Sequence, residues 1–386
     1  MNIKNNNILQ FNKKFKKLKK NIVLKNFKLL LLNKYDVVVS EPLYDTMVAH
    51  YLINPDMRHN LDTLSESYLN YTPISIESLI GKKGKNQKSM RDIPVKQVTN
   101  YASEDADLSL QLKHVFDKEL ESNGVKAVFY DIETPIINVL SDMEKEGINI
   151  DSSYLNQLEQ EFEKDLNKLK EEIYNQSGEE FNLNSPKQLG DILFDKLKLV
   201  SKPKKTKTGQ YSTSEEVLSS LANDHEIIRS ILEWRSLDKL QNTYVRSLPN
   251  EVSNRTNKIH TKFNQTVTTT GRLSSNNPNL QNIPIRTKNG QKIRKAFIPR
   301  NNNFELRAAD YSQIELRVIA SMSKDPNMID AFIKNQDIHT ITASKIYNIN
   351  PAEVTREQRG IAKTVNFGII YGVSAFGLSK QTNLSR

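Results

Sequence analysis

A stretch late in the sequence, RGIAKTVNFGIIYG from Arg359 to Gly372, leaves few choices for the fold around it. Arg359, Lys363, Phe367 and Tyr371 recur every four residues, so a helix would carry two cations and two aromatic rings in one slowly drifting stripe. A core-facing helix would not place Arg and Lys there. Cations suit phosphate oxygens, and aromatic rings suit bases and sugars. The pattern favours a phosphate-binding helix; an ordinary basic helix that packs Phe367 and Tyr371 inward stays open as the alternative.

Two glycines lie in the same stretch, Gly368 and Gly372. Each costs helix stability relative to alanine. That cost is understandable if another group must approach the backbone closely, which is what we expect here.

A candidate metal ligand precedes this helix. Phe304–Ala309 is predicted to be a strand that ends at Asp310, and a carboxylate on a rigid element offers the hard oxygen that Mg²⁺ prefers. An aspartate at the end of a strand is also common as a turn or cap residue, so that alternative stays open. The next segment, Gln313–Ser323, takes a helical period, with these apolar residues on one face: Ile314, Val318, Ile319 and Met322.

Long amphipathic helices dominate the middle of the chain, from Val128 to Asn250. Between them, the lysine-rich Ser201–Ser214 is predicted to be a mobile basic tip, and Ser212, Thr213 or Ser214 to cap the helix that follows. For the N-terminal part we predict a poorly specified basic lead-in up to about Lys28, a strand at Val37–Val39, the start of a helix at Asp45–Leu52, a basic loop at Ile80–Ser89 and a helix at Tyr101–Leu112. After the middle region we predict a strand at Ile259–Thr268 and an ordered loop at Thr269–Ile285.

Charge and cysteine content narrow the class of protein. The formal net charge is +10, which favours a polyanionic partner such as nucleic acid, although a general bias toward Lys and Asn explains it equally well. The chain has no cysteine, which excludes disulfides, zinc thiolate sites and thiol catalysis. The longest apolar run near the N-terminus, Leu29–Leu32, is too short for a membrane span. We expect a soluble, intracellular protein.

Three motifs, in order and near the right spacing, resemble those of family A DNA polymerases. DYSQIELR at Asp310–Arg317 resembles motif A, and Arg359–Gly372 resembles motif B of the fingers helix. TGRLSSNNPNLQNIPIR at Thr270–Arg286 resembles the DNA-contacting stretch before motif A. The similarity extends back through Tyr101 to the region of Asp45 and so covers nearly everything beyond the first thirty or so residues.

The resemblance implies a role for each matching residue. Asp310 would be one of two metal-binding catalytic aspartates, with the backbone carbonyl of Tyr311 on the same metal; Glu315 would exclude a ribose 2′-hydroxyl. The remaining implied nucleotide contacts are Arg359, Lys363 and His339 on the triphosphate, Phe367 on the sugar and base, and Tyr371 at the template position. Contacts near the primer and template junction would come from Arg272, Gln281, Asn282 and Arg286.

A second set of implied DNA contacts lies in the middle region. Arg235, Lys239 and Thr243 resemble the thumb helix that tracks the duplex, and their spacing of four makes one polar face suited to phosphates. A solvated helix face explains each of these positions equally well. The lysines of Lys202–Lys207 fit a thumb tip whose DNA contacts would be independent of sequence and sensitive to salt.

The sequence departs from the family pattern at two places. The second catalytic aspartate, from a His-Asp-Glu motif, does not occur before Arg386, so one of the ligands for the two Mg²⁺ ions of the family site is missing. The N-terminal region resembles the second half of a 3′ to 5′ exonuclease, in which Tyr101 and Asp105 match the last motif, but a lysine, about Lys28, stands where the middle aspartate belongs. We expect no exonuclease activity, because these residues cannot assemble the carboxylates for two metals.

The resemblance implies a mixed α/β (α+β), multidomain fold: a partial right-hand polymerase with thumb, part of the palm and the start of the fingers, after a remnant ribonuclease H-like exonuclease domain. The expected domains are residues 1–125 (exonuclease-like, inactive), 126–257 (start of the palm and helical thumb) and 258–386 (palm and first part of the fingers, truncated). Primer-template DNA and deoxynucleoside triphosphates are the expected partners of a monomeric, cytoplasmic chain with no membrane contact.

Three functions remain open from the sequence. The first is DNA-templated DNA synthesis by a chain that is a piece of a polymerase. The second is a catalytically incomplete remnant that binds DNA and deoxynucleotide. The third is an unrelated helical scaffold, which would require the three polymerase-like motifs to occur in the right order by chance.

Overall fold

The computed structural model describes residues 43–285 and 287–382. The predicted N-terminal lead-in, the predicted strand at Val37–Val39 and the predicted DNA contact Arg286 lie outside these residues. The chain divides into two compact units, Met1–Leu306 and Arg307–Arg386. The fold is mostly helical, with a few short strands. No helix within the described ranges is both long and apolar enough to cross a membrane.

The described residues of the first unit form two hydrophobic cores. One lies in its N-terminal part, where α1, α2 and the long α4 surround side chains that include Tyr44, Leu112 and Phe116. The helices of this part are α1 (Thr46–Ile53), α2 (Leu61–Leu69), α3 (Ile76–Ile80) and α4 (Val95–Ser122). The predicted helices at Asp45–Leu52 and Tyr101–Leu112 are confirmed, and Asp45 itself caps α1 by accepting a hydrogen bond from the backbone N–H of Met47 at 2.8 Å.

The second core of this unit forms around one long amphipathic helix, α6 (Ser152–Ser177). Asp151 caps α6 by accepting from the backbone N–H of Tyr154 at 2.8 Å. The helix then buries Leu155, Leu158 and Phe162 at intervals of three and four. The other helices of this part are α5 (Thr134–Glu146), α7 (Pro186–Gly190), α8 (Glu215–Ser219), α9 (Glu226–Leu240), α10 (Ser247–Asn250) and α11 (Lys288–Arg294). The predicted helical middle region is thereby confirmed.

Two short antiparallel strand pairs complete the first unit. β1 (Asn149–Ile150) pairs with β4 (Phe297–Ile298), and β2 (Lys262–Asn264) pairs with β3 (Ser274–Asn276). The predicted strand at Ile259–Thr268 is therefore shorter than expected. The predicted loop at Thr269–Ile285 is interrupted by β3, because Ser274–Asn276 finds a hydrogen-bonding partner in β2.

The second unit consists of helices. They are α12 (Ile314–Ser323), α13 (Pro326–Ile333), α14 (Ile338–Tyr347), α15 (Arg356–Ile370) and α16 (Ala375–Thr382). A small core of Leu316, Ala331 and Ile338 holds α12, α13 and α14 together.

Two expectations about this part of the chain are corrected. Phe304–Ala309 is irregular and exposed, not a strand, because no described segment pairs with it and an unpaired strand is not stable alone. The helix at Gln313–Ser323 is confirmed from Ile314 onward, but its predicted apolar face is largely exposed, with Met322 79% accessible. The small residue Ala320 and Leu316, on the other side of α12, are the ones that the core buries.

Candidate functional site

The stripe of cations and aromatic rings lies on α15, as the spacing predicts. A capping box starts the helix: Thr355 Oγ1 accepts from the backbone N–H of Gln358, whose side chain accepts from the backbone N–H of Thr355. The rings of Phe367 and Tyr371 are stacked, with centroids 6.3 Å apart and an interplanar angle of 16°. Lys363 Nζ lies 5.9 Å from the Phe367 centroid. The stripe is thus a continuous surface of charge and aromatic faces.

Gly368 and Gly372 have separate structural reasons. A Cβ on Gly368 would lie 2.5 Å from Cδ2 of Leu378, so this glycine lets α16 pack closely against α15. Gly372 has a φ of +71°, a left-handed conformation that ends the helix. The sequence predicts that another group approaches the backbone closely, and at Gly368 that group is the side chain of Leu378.

Asp337 organises the cationic end of the stripe, and the sequence analysis missed it. Its Oδ2 accepts from Nη2 of Arg359 at 2.6 Å and from Nε2 of Gln313 at 3.1 Å. Its Oδ1 caps α14 by accepting from the backbone N–H of Thr340 at 2.8 Å. Partial burial works to raise the pKa of Asp337, but the hydrogen bonds from Arg359 and Thr340 outweigh it and hold the pKa below its usual value. The only sequence signal is an aspartate directly before a helical pattern.

His339 lies behind this stripe instead of on it. Its side chain is 3% exposed, and its Nδ1 is 3.0 Å from Nδ2 of Asn366. Burial lowers its pKa below the usual value; Asp337 works in the opposite direction, while Arg359 and Lys363 add to the lowering. His339 is therefore a neutral imidazole at neutral pH and packs 5.8 Å from the centroid of Phe367.

Glu315 meets the other end of the stripe. The hydroxyl of Tyr371 donates to Oε2 of Glu315 at 3.4 Å, which joins the first turn of α12 to the residue directly after α15. The structure thus brings together six of the predicted nucleotide-binding residues in the second unit: Glu315, His339, Arg359, Lys363, Phe367 and Tyr371.

The predicted metal ligands Asp310 and Tyr311 lie in irregular, exposed chain before α12, with Tyr311 80% accessible. Within residues 43–285 and 287–382, no group of three or more His, Cys, Asp or Glu is arranged to hold a metal ion. The described residues therefore do not by themselves form a complete binding site for two metals.

Four of the predicted DNA contacts line a groove of about 880 Å³ in the first unit. Lys239, Thr243 and Asn282 are among its lining residues, and the hydroxyl of Tyr244 fixes its wall by donating to the backbone carbonyl of Asn282 at 2.7 Å. Arg235 also lines the groove, but its guanidinium is half-buried and donates to the backbone carbonyl of Thr213 at 2.5 Å.

The other two predicted DNA contacts flank β3. Gln281 is exposed, and its backbone N–H donates to Oδ1 of Asn279 at 3.0 Å. Arg272 lies in a turn, where its backbone carbonyl accepts from Oγ1 of Thr268 at 2.7 Å. The preceding Gly271 N–H donates to the hydroxyl of Tyr51 at 2.8 Å, which fixes this turn against the N-terminal part of the unit.

Comparisons with known proteins agree on a family. The chain matches the model of DNA polymerase family A over residues 152–386 and that of a 3′-5′ exonuclease over residues 7–121. DNA polymerase I of Pseudomonas aeruginosa is 43% identical over 366 residues, which make up 92% of this chain and 40% of that protein. DNA polymerase I of Bacillus subtilis is 44% identical, over 89% of this chain and 38% of that protein. The chain spans about two fifths of the length of these curated relatives.

A solved structure gives the same result for the fold. The POL domain of Pol1 from M. smegmatis, in complex with DNA primer-template and dNTP, has a TM-score of 0.76 and 37% sequence identity. The match covers 88% of this chain and 56% of that chain. The predicted multidomain fold of mixed α and β structure is thereby confirmed.

Proposed function

The chain belongs to DNA polymerase family A, and from that membership we propose that it takes part in DNA-templated DNA synthesis, binding primer-template DNA and a deoxynucleoside triphosphate. One observation carries the proposal: the stripe on α15 forms a single surface with Glu315 and Asp337. The compartment that we propose is the cytoplasm, where its bacterial relatives would find DNA and deoxynucleotides.

In the proposed nucleotide site, Arg359 and Lys363 bind the triphosphate and Phe367 packs on the sugar and base. Asp337 leaves most donors of Arg359 available, because within the described residues the carboxylate accepts a hydrogen bond from Nη2 of the guanidinium alone. His339 is neutral and buried behind the stripe, so it adds no charge to this site. The proposed role of Glu315, which accepts a hydrogen bond from the hydroxyl of Tyr371, is to exclude a ribose 2′-hydroxyl.

The groups proposed to bind metal are the carboxylate of Asp310 and the backbone carbonyl of Tyr311. Two Mg²⁺ ions would, in the complete site, stabilise charge on the attacking and leaving oxygens. Asp310 offers a suitable hard oxygen, but the part of the chain that the structure describes does not complete the ligand set.

In the proposed DNA site, Lys239, Thr243 and Asn282 bind the sugar-phosphate backbone in the groove between α9 and the loop after β3. Arg272, Gln281 and Arg286 are proposed to hold the primer and template near their junction. Such contacts give affinity without sequence preference.

A second function, DNA and nucleotide binding without catalysis, is favoured by the incomplete metal ligand set. A primer-extension assay with Mg²⁺ tests whether the 386-residue chain catalyses synthesis by itself or only binds DNA and nucleotide. We expect binding and no extension from the chain alone, because one carboxylate cannot hold both metals. Extension that is abolished by Asp310→Ala would instead support synthesis by this chain.

The nucleotide site itself is tested by competition binding with a fluorescent deoxynucleoside triphosphate. Lys363→Gln is expected to weaken binding about tenfold, because a charge-assisted phosphate contact is lost. Lys345→Gln, at an exposed position of α14, removes the same charge from the same unit and is expected to leave affinity unchanged. Equal effects of the two variants would contradict the proposed site.

A further inference from the structure

The lysine-rich segment Ser201–Ser214 is folded into a small hairpin. The backbone N–H of Thr206 donates to the carbonyl of Gln210 at 2.7 Å, and the N–H of Ser212 donates to the carbonyl of Lys204 at 2.8 Å. An isolated β-bridge joins Lys205 to Tyr211. The lysines of this hairpin are all exposed: Lys202, Lys204, Lys205 and Lys207. The predicted basic tip therefore has a defined shape, which we call the lysine hairpin.

One side of the lysine hairpin is fixed through Tyr211. Its hydroxyl donates to Oδ1 of Asp195 at 2.5 Å, and its ring lies 5.3 Å from that of Phe194. On the hairpin side of the same ring, Lys205 Nζ lies 4.9 Å from the Tyr211 centroid. This anchor holds the second strand of the hairpin against the helical segment after α7.

The other anchor is Arg235 on α9. Its Nη1 donates to the backbone carbonyl of Thr213 at 2.5 Å, and its Nη2 donates to the Thr213 hydroxyl at 3.4 Å. Thr213 is only 6% exposed. The next residue, Ser214, caps α8 by accepting from the backbone N–H of Val217. Arg235 therefore binds the chain at Thr213, between the hairpin and α8.

Arg235 differs in this respect from Lys239 on α9 and from Thr243, which follows α9 in the chain. Lys239 and Thr243 are exposed to solvent in the groove, whereas both terminal nitrogens of Arg235 already have acceptors on Thr213. Withdrawing the guanidinium to reach a phosphate would leave the carbonyl of the buried Thr213 without this donor, which is unfavourable.

We propose that Arg235 is a positioning residue: it fixes the lysine hairpin against α9, and DNA binds to the lysines that Arg235 holds in place. The inference rests on the proposed DNA binding of this chain. A hairpin fixed at Tyr211 and Thr213 presents its lysines to the phosphate backbone with less of the entropy cost of ordering a loose segment at the moment of binding.

The anchor is tested without DNA by hydrogen exchange of the hairpin amides. In Arg235→Gln, the peptide that contains Thr206 and Ser212 is expected to exchange about tenfold faster, because local opening is easier when a hydrogen-bonded contact is lost. Lys239→Gln, on the same helix, is expected to exchange at the wild-type rate. Arg235→Lys keeps one donor and should restore part of the protection. Unchanged exchange in Arg235→Gln, with the fold intact by circular dichroism, would overturn the proposal.

A double-mutant cycle with a fluorescent primer-template duplex tests whether Arg235 affects DNA binding through the lysines of the hairpin. The lysine-poor background is Lys202→Gln, Lys204→Gln and Lys207→Gln together, which leaves Lys205 on Tyr211. Arg235→Gln is expected to weaken DNA binding about tenfold in the wild-type background and less than about twofold in the lysine-poor background, because its effect passes through the removed lysines. Lys239→Gln should weaken DNA binding by the same factor in both backgrounds.

The outcomes separate this inference from the function on which it rests. Equal losses from Arg235→Gln in both backgrounds would mean that Arg235 contacts DNA directly, which overturns the positioning role. No DNA binding by the wild-type chain would refute the proposed function, while the exchange experiment would still decide whether Arg235 anchors the hairpin.

Discussion

Asp337 is the single residue that does most to arrange the proposed nucleotide site. It joins α14, α15 and Gln313 through three hydrogen bonds. In Asp337→Asn the amide oxygen still caps α14, but the charge that holds Arg359 is lost. We expect three- to tenfold weaker binding of a deoxynucleoside triphosphate, because about 1 kcal/mol of preorganisation is removed. Asp330→Asn, on the exposed surface of α13, serves as the control; unchanged affinity in Asp337→Asn would contradict the role.

Glu315 carries the prediction about sugar selectivity. Its carboxylate is hydrogen-bonded to Tyr371 at the end of the stripe, so it is held in one place when a nucleotide binds. Glu315→Ala is expected to bring the affinities for GTP and dGTP to within about twofold of each other, because the steric barrier to a 2′-hydroxyl is removed. The measurement is competition binding with both nucleotides on wild type and variant; an unchanged ratio would rule out the steric role.

Sequence reasoning reaches the residues of this site unequally. Lys363, Phe367 and Tyr371 are found from spacing alone because they lie on one helix, where period and position are linked. Asp337 could not be found that way, since its partner Arg359 lies 22 positions further along and the contact depends on how α14 packs against α15. The engagement of Arg235 by Thr213 was missed for the same reason.

At the scale of elements, α1 is joined to the loop before α2 by a buried pair of histidines. His50 Nδ1 and His59 Nδ1 are 2.7 Å apart, and His50 Nε2 is 3.0 Å from the hydroxyl of Tyr68. Burial, with a further contribution from His59, lowers the pKa of His50 to about 4, and burial lowers that of His59. Both rings are therefore neutral in the folded chain at neutral pH.

This pair predicts acid lability of the N-terminal part. In the unfolded chain His50 binds a proton near its ordinary pKa of 6.5, whereas in the folded chain it is protonated only near pH 4. The contribution of His50 to the free energy of unfolding is therefore complete above pH 6.5 and decreases as the pH falls from 6.5 to about 4. The slope is about 1.4 kcal/mol per pH unit for one imidazole. Urea titrations at several pH values should show a shallower slope for His50→Gln than for the control His114→Gln, which changes an exposed histidine of α4. Equal slopes would contradict the account.

The two glycines inside α15 predict opposite changes in stability. Gly360→Ala is expected to stabilise the second unit by about 0.5–1 kcal/mol, because nothing lies within 4 Å of the added Cβ and alanine favours helix. Gly368→Val is expected to destabilise it by about 1–3 kcal/mol, because its side chain would enter the space of Leu378. Thermal unfolding of the two variants checks both signs, and the same sign for both would show that the α15 and α16 contact is not close.

Helices were easier to predict than strands for a physical reason. An amphipathic helix such as α6 satisfies its own backbone hydrogen bonds, so its sequence pattern is sufficient. A strand depends on a partner elsewhere in the chain. Phe304–Ala309 has a suitable composition but no paired segment among the described residues, whereas Ser274–Asn276 has a weak pattern and is paired with β2.

At the scale of the whole molecule, the proposed function depends on two surfaces of different character. The nucleotide surface of the second unit is a compact set of charged and aromatic side chains, and the DNA surface of the first unit is a groove flanked by an anchored lysine hairpin. The net charge of +10 is consistent with the second surface. The resemblance to the polymerase family was readable from three motifs; the shape of the groove was not.

Equilibrium binding of the 386-residue chain to a fluorescent primer-template duplex, titrated with salt, tests this proposal most directly. If Lys239 and the lysine hairpin bind phosphates, the logarithm of the association constant should fall linearly with the logarithm of salt concentration, with a slope steeper than about −2, since each phosphate contact contributes about −0.9. Duplexes of unrelated sequence should bind alike. No binding at low salt, or binding that salt does not weaken, would contradict the proposal that this chain holds primer-template DNA.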